Sequence, residues 1–131
     1  MSTSTVPAIQ RWHDLVQSPD TEALRDLLDD DVVFRSPAMY APKHGKDQAE
    51  TFLWAALQVL APTLRYHQEW LDGDSAVLLF TADVNGLEVS GVDIVRWNSA
   101  DRFTEFTVMI RPLKGLESVV GAIGAQLEAV Q

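Results

Sequence analysis

The sequence predicts an α+β fold in which a few helices pack against a curved antiparallel sheet of about five to six strands. Helical periodicity prevails up to Leu60, a period of two begins at Thr63, and helical periodicity returns after Pro112. At 131 residues the chain has the usual size of one domain. We therefore expect a single domain over residues 1–131 that encloses one apolar core.

Two helices are predicted at the N-terminal end. The first begins with a cap and first turn at Thr5 and Pro7 and ends near Ser18. Its apolar stripe consists of Ile9, Trp12, Leu15 and Val16. The second begins at Ser18 and Pro19 and stops at the acidic cluster 29–31, which we interpret as a solvated turn.

A short strand and a third helix follow. Residues 32–34 favour β structure and are halted by Pro37, so the stretch 36–45 is expected to be irregular. Asp47 and Glu50 have the spacing of a capping box, and the apolar stripe behind them predicts a helix that ends before the next proline.

Four strands and a last helix complete the chain. Turn signals at 72–74, 85–86 and 98–101 separate four runs with alternating polarity, which predicts an antiparallel meander. The last helix is expected to begin after Pro112, to run almost to Gln131, and to cover one edge or mouth of the sheet.

Charge and composition exclude several classes of partner. Ten Lys and Arg against nineteen Asp and Glu give a net charge of −9, which repels phosphate backbones and anionic bilayers. The chain has no cysteine, no apolar stretch of membrane-spanning length and no signal-peptide pattern, so we expect a cytoplasmic protein that binds neither nucleic acid nor membranes. The three histidines lack the spacing of metal ligands, and neither a metal nor another cofactor is predicted.

One carboxylate falls on the apolar face of a predicted strand. Between Leu87 and Trp97, Asp93 shares its face with Val89 and Val95. A carboxylate removed from water has a raised pKa and can stay protonated, ready to donate a hydrogen bond. Such groups are enriched at functional sites.

Asp93 also admits a structural interpretation. It could pair with Arg35, with Arg65 or with a backbone amide, or a β-bulge could turn it toward solvent. Periodicity alone leaves these alternatives open.

Four segments occur in a distinctive order along the chain. They are Gln-Arg-Trp at 10–12, Asp-Asp-Val-Val-Phe at 30–34 with Pro37, Gly45 before the third helix, and Val-Asp-Ile-Val-Arg-Trp at 92–97. In this order they resemble the SnoaL-like and ketosteroid-isomerase-like branch of the nuclear transport factor 2-like superfamily. The resemblance spans almost the whole chain and implies a cone-shaped sheet, wrapped by helices, around a small-molecule pocket.

The resemblance implies roles for three positions. Asp93 matches the protonated aspartate of the oxyanion hole of ketosteroid isomerase. Trp12 occupies the position of the tyrosine that completes the oxyanion hole. Its indole N–H can donate a hydrogen bond but cannot titrate. Ser36 occupies the position of the catalytic base, and a serine without a neighbouring base cannot abstract a carbon-bound proton. Ketosteroid isomerisation by that mechanism is therefore not expected.

We expect the cone to bind a small, largely apolar molecule, with Asp93 as the catalytic residue in isomerisation, dehydration, cyclisation or hydrolysis. Tyr40 and His44 lie in a loop that the resemblance places at the pocket mouth, whereas Tyr66 faces the interior from a strand. The alternative is a ligand-binding or dimeric structural module without catalysis. The predicted ligand-binding residues are Trp12, Phe34, Ser36, Tyr40, His44, Phe52, Tyr66, Phe80, Phe106 and Val108.

The outward face of the sheet predicts a partner. Leu79, Val92, Ile94 and Met109 lie there among polar residues, which makes the face too apolar for open solvent. The resemblance favours the same conclusion, and we expect a homodimer through this outer sheet face.

Overall fold

The computed structural model of the chain describes residues 4–129. Within this range the chain forms four helices and six strands. In chain order they are α1 (Pro7–Gln17), α2 (Thr21–Leu27), β1 (Leu28–Arg35), β2 (Lys43–His44), α3 (Lys46–Leu60), β3 (Arg65–Asp72), β4 (Ser75–Val84), β5 (Leu87–Trp97), β6 (Phe103–Arg111) and α4 (Leu113–Ala129). None of the described helices is long and apolar enough to cross a membrane.

The strands form one curved sheet in the order β2-β1-β6-β5-β4-β3. The four C-terminal strands are an antiparallel meander, which confirms the predicted fold class. The pair β1 and β6 is parallel, contrary to the antiparallel sheet expected throughout. A parallel pair needs a long connection, and α3 together with four strands separates β1 from β6 along the chain.

The acidic cluster 29–31 is not a turn, as the sequence suggested, but part of β1. An irregularity in the strand explains the difference, because the register of β1 against β6 shifts between Leu28 and Val33. Within this stretch Asp30 and Asp31 are exposed, whereas Leu28 and Val32 are fully buried.

The helix starts also differ from the predicted signals. Asp20, rather than Ser18, caps α2, since its side chain accepts hydrogen bonds from the backbone N–H groups of the first turn. The predicted capping box of α3 is absent, because Gly45 is the N-cap and Asp47 instead pairs with Arg25 at 2.9 Å. The last helix ends at Ala129, and residues 130–131 lie outside the described part.

The helices cover the concave face of the sheet and supply half of the core. Ile9 of α1, Leu24 of α2 and Leu53 of α3 pack against fully buried side chains of the sheet such as Phe80 and Phe106. A smaller cluster around Val119 attaches α4 to the far end of the same face. This arrangement leaves an interior between α1, α3, α4 and the sheet, toward which β5 directs its inward residues.

Candidate functional site

The interior contains an apolar cavity of about 50 Å³. Three of its lining residues carry a polar side-chain group, namely Trp12, Ser36 and Asp93. The apolar wall comes from β1, α3, β6, α4 and the loops beside them, and it consists of Phe34, Pro37, Phe52, Leu53, Ala56, Leu57, Leu60, Leu64, Phe106, Val108, Ile110 and Ile123. Asp93 is therefore the one titratable group that lines the cavity within residues 4–129.

Asp93 lies in the middle of β5, between Leu78 of β4 and Val108 of β6, and its exposed fraction is 4%. Burial raises its pKa from 3.8 to about 7, although the hydrogen bond from Tyr66 and the nearby indole N–H of Trp12 oppose the rise. At neutral pH the carboxyl group is thus divided between its protonated and ionised forms.

The structural pairing considered for Asp93 does not occur. Arg35 binds Glu105 at 3.1 Å on the opposite face of the sheet, and Arg65 is exposed at the start of β3. Without a cation beside it, burial is the dominant influence on the pKa of Asp93.

A hydrogen-bonded chain links Asp93 to α1. The Tyr66 hydroxyl donates to Oδ2 of Asp93 and accepts a hydrogen bond from the Trp12 indole N–H at 2.7 Å. Burial and the neighbouring Asp93 carboxylate raise the pKa of Tyr66 well above its ordinary value, so the phenol stays protonated and remains a donor. No hydrogen bond within residues 4–129 engages Oδ1 of Asp93.

The position of Tyr66 depends on a β-bulge at His67. Tyr66 pairs with the inward Phe80, but the register then shifts, so that Glu69 also points inward. Strict alternation along β3 would place Gln68 and Trp70 on the face of Tyr66, but the bulge leaves both exposed. Sequence reasoning therefore missed Glu69, since nothing in the local sequence marks the bulge.

Sequence reasoning also missed His13 as part of the site. Its side chain is buried between α1 and β3, where Nε2 contacts Oε1 of Glu69. The signal was present, because His13 directly follows the inward Trp12 on the helix, but a partner could be named only once the bulge was known.

The predicted ligand-binding residues fall into two groups. Those that line the cavity with Asp93 are Trp12, Phe34, Ser36, Phe52, Phe106 and Val108. Tyr66 stands behind Asp93, and Phe80 is fully buried behind Tyr66, so neither lines the cavity. Tyr40 and His44 do not line it either, because the chain after β1 runs along the outer edge of the sheet and leaves both side chains exposed.

The cavity offers acid chemistry but no separate base. A carboxyl group with a pKa near the ambient pH is well suited to giving or taking a proton. Ser36 cannot supplement it, since its hydroxyl oxygen accepts from the backbone N–H of Ala38 at 3.2 Å and no histidine lines the cavity in the described range. The described residues also contain no group of three or more His, Asp or Glu side chains placed to hold a metal ion.

Several solved structures are similar to this chain. A steroid delta-isomerase from Pseudomonas aeruginosa is 33% identical with a TM-score of 0.87, over 94% of this chain and 90% of that one. A protein with a cystatin-like fold from Silicibacter pomeroyi DSS-3 is 29% identical with a TM-score of 0.85, over 93% and 86%. A nuclear transport factor 2-like protein of unknown function from Cytophaga hutchinsonii ATCC 33406 shares the fold at 13% identity and a TM-score of 0.62, over 86% and 94%.

No curated protein sequence matches the chain significantly. The sequence model of the SnoaL-like domain matches residues 9–106, which include most of α1, the whole of β5 and the beginning of β6. The fold, the position of Asp93 at the cavity and this match agree with the motifs at 10–12, 30–34 and 92–97. The chain therefore belongs to the SnoaL-like family, in the ketosteroid-isomerase-like branch of the nuclear transport factor 2-like superfamily.

Proposed function

We propose that the cavity binds a small, largely apolar molecule with an oxygen atom that faces Asp93, and that Asp93 acts on this oxygen as acid or hydrogen-bond donor in an isomerase-type reaction. The observation that carries the proposal is a buried carboxyl group with a pKa of about 7 at the wall of an otherwise apolar cavity. A group of this kind is enriched at functional sites. The similar Pseudomonas aeruginosa protein, a steroid delta-isomerase, supports the reaction type.

The size of the cavity narrows the ligand class. Its volume of about 50 Å³ holds a few water molecules, at roughly 10–15 Å³ for each, whereas sites for drug-sized ligands span about 300–1,000 Å³. A four-ring steroid is therefore too large for the cavity in this structure. Small unsaturated carbonyl compounds of one ring or less are the class that fits best.

The polar groups that line the cavity limit the reactions that the site can catalyse. The proton-transfer group is Asp93 alone, because Ser36 stands where the steroid isomerase mechanism needs a carboxylate base. This favours an acid-catalysed reaction in which Asp93 protonates the carbonyl oxygen, water takes the α-proton and returns a proton to the γ-carbon, and the proton on the oxygen goes back to Asp93.

The test uses cyclohex-3-enone as the probe, with its conversion to the conjugated ketone followed by ultraviolet absorbance. We expect turnover by the wild-type protein and a loss of about 100-fold or more in Asp93→Asn, with binding retained. Asp26→Asn is the matched control, because Asp26 is an exposed aspartate of α2 that lines neither the cavity nor the outer sheet face. Equal turnover in Asp93→Asn and wild type would contradict the role of Asp93, and binding without turnover would favour a non-catalytic ligand-binding module.

We further propose that two copies of the chain pair through the outer sheet face. Two cross-strand rows make an apolar patch there, formed by Trp70, Val77, Ile94, Leu79, Val92 and Met109. Around the patch, four arginines balance four acids, namely Arg35, Arg65, Arg96, Arg111, Asp72, Asp83, Glu88 and Glu105. Because the chain carries a net charge of −9, its acid excess lies elsewhere, and this neutral face can approach a second copy of itself.

Sedimentation velocity tests the pairing. Met109 is 55% exposed within the patch, so Met109→Glu is expected to convert a wild-type dimer into a monomer. Leu113 is an equally apolar residue that is 71% exposed on α4, and Leu113→Glu should leave the dimer intact. A monomeric wild-type protein, or a dimer that survives Met109→Glu, would overturn the proposal.

A further inference from the structure

Two consecutive residues of α1 make two polar bridges to β3. Trp12 donates to the Tyr66 hydroxyl, and the next residue, His13, contacts the Glu69 carboxylate through Nε2. The side chain of His13 is 2% exposed, and its Nδ1 has no hydrogen-bond partner among the described residues. The contact with Glu69 is therefore the polar interaction that fixes the imidazole ring.

The imidazole ring in turn supports Tyr66. It packs edge-on against the phenol ring with 5.2 Å between ring centroids, while Phe80 of β4 packs edge-on against the phenol at 6.1 Å. The titratable groups around Tyr66 are thus His13 from α1, Glu69 from its own strand and Asp93 from β5. Since Tyr66 does not line the cavity, it can influence a ligand only through its hydrogen-bond partners Asp93 and Trp12, which do.

We propose that His13 and Glu69 are positioning residues, which hold the Tyr66 ring from behind and thereby keep its hydroxyl on Asp93. Without the bridge, Tyr66 would be held by Trp12 and Phe80 alone, and its hydrogen bond to Asp93 would be formed for a smaller fraction of the time. The role rests on the proposed function of Asp93. The experiment that tests it needs no ligand, however, so the positioning role and the proposed function of Asp93 can be disproved independently.

The readout is the titration of the Asp93 carboxyl carbon, followed by NMR. His13→Phe keeps an aromatic ring but removes the bridge, and Glu69→Leu removes it from the other side. Each is expected to raise the pKa of Asp93 by about half a pH unit or more, because the hydrogen bond from Tyr66 lowers it. Glu69→Gln retains an acceptor oxygen for His13 and should restore the wild-type titration.

His44→Phe and Glu117→Leu, at exposed positions of β2 and α4, are matched controls and should leave the titration unchanged. If the bridge served stability alone, His13→Phe and Glu69→Leu would lower the melting temperature while the Asp93 titration and the Trp12 indole N–H resonance stayed at their wild-type values. That result would overturn the proposal. Should His13→Phe not fold, the pair Glu69→Leu and Glu69→Gln decides the question by the same measurement.

Discussion

We expect Asp93→Asn to become more stable relative to wild type as the pH rises. The difference in the free energy of unfolding between the two proteins should shift by about 4 kcal/mol in favour of the variant from pH 4 to pH 8. The pKa of Asp93 rises from 3.8 to about 7 on folding, and each pH unit between these values corresponds to about 1.4 kcal/mol. The amide of asparagine keeps an acceptor oxygen for the Tyr66 hydroxyl but never ionises, so it avoids the free energy of burying a charge.

The sign follows from proton binding. Between about pH 4 and pH 7 the folded protein binds a proton at Asp93 that the unfolded chain has released. The stability contributed by protonated Asp93 is therefore complete below pH 4 and is lost as the pH rises toward 7. Urea unfolding of wild type and Asp93→Asn at a series of pH values isolates this contribution, because other groups titrate equally in both proteins.

Asp26→Asn, at an exposed position of α2, serves as the control for this pH series, and its difference in stability from wild type should stay constant. A constant difference between Asp93→Asn and wild type from pH 4 to pH 8 would mean that Asp93 keeps its ordinary pKa on folding. The acid chemistry proposed for the cavity would then lose its basis.

The presence of a buried carboxylate that lowers the stability of the fold supports a functional role for Asp93. At pH 8 the ionised Asp93 destabilises the fold that surrounds it, although an asparagine would occupy the same space and accept the same hydrogen bond from Tyr66. Groups that reduce stability in this way are expected where chemistry requires them.

Alternation was sufficient to place Asp93 from the sequence. The side chains of β5 follow a strict period of two from Val89 to Val95, and the regular pairing of β5 with both neighbours preserves this period. The motif around Asp93 pointed to the same position. The fold class followed equally well, because the change of period at Thr63 is sharp and the turns of the meander are marked by Asn-Gly and Asp-Gly pairs.

Alternation failed where the backbone departs from a regular ladder. The bulge at His67 inverts the face of every later residue of β3, so the partner of His13 could not be deduced. The loop that contains Tyr40 was placed at the pocket mouth by resemblance alone, and the exposure of Tyr40 depends on the path of the chain outside the sheet edge. Neither feature leaves a periodic pattern in the sequence.

Phe106→Ala is expected to lower the free energy of unfolding by about 3–5 kcal/mol and at the same time to enlarge the cavity beside Asp93. Phe106 is 1% exposed, lines the cavity and packs against Trp12 with 4.9 Å between ring centroids. The space left by its ring is continuous with the existing cavity, so a one-ring ligand such as 4-methylphenol should bind there and recover part of the lost stability.

Phe103→Ala is the matched control for this experiment. Phe103 is fully buried, and its ring centroid lies 5.7 Å from that of Phe106, but Phe103 does not line the cavity. Its removal should lower stability by a similar amount, whereas added 4-methylphenol should raise the melting temperature of Phe106→Ala more than that of Phe103→Ala. Equal responses would show that the phenol binds to any vacated core space, and the cavity beside Asp93 would no longer be distinguished as the ligand site.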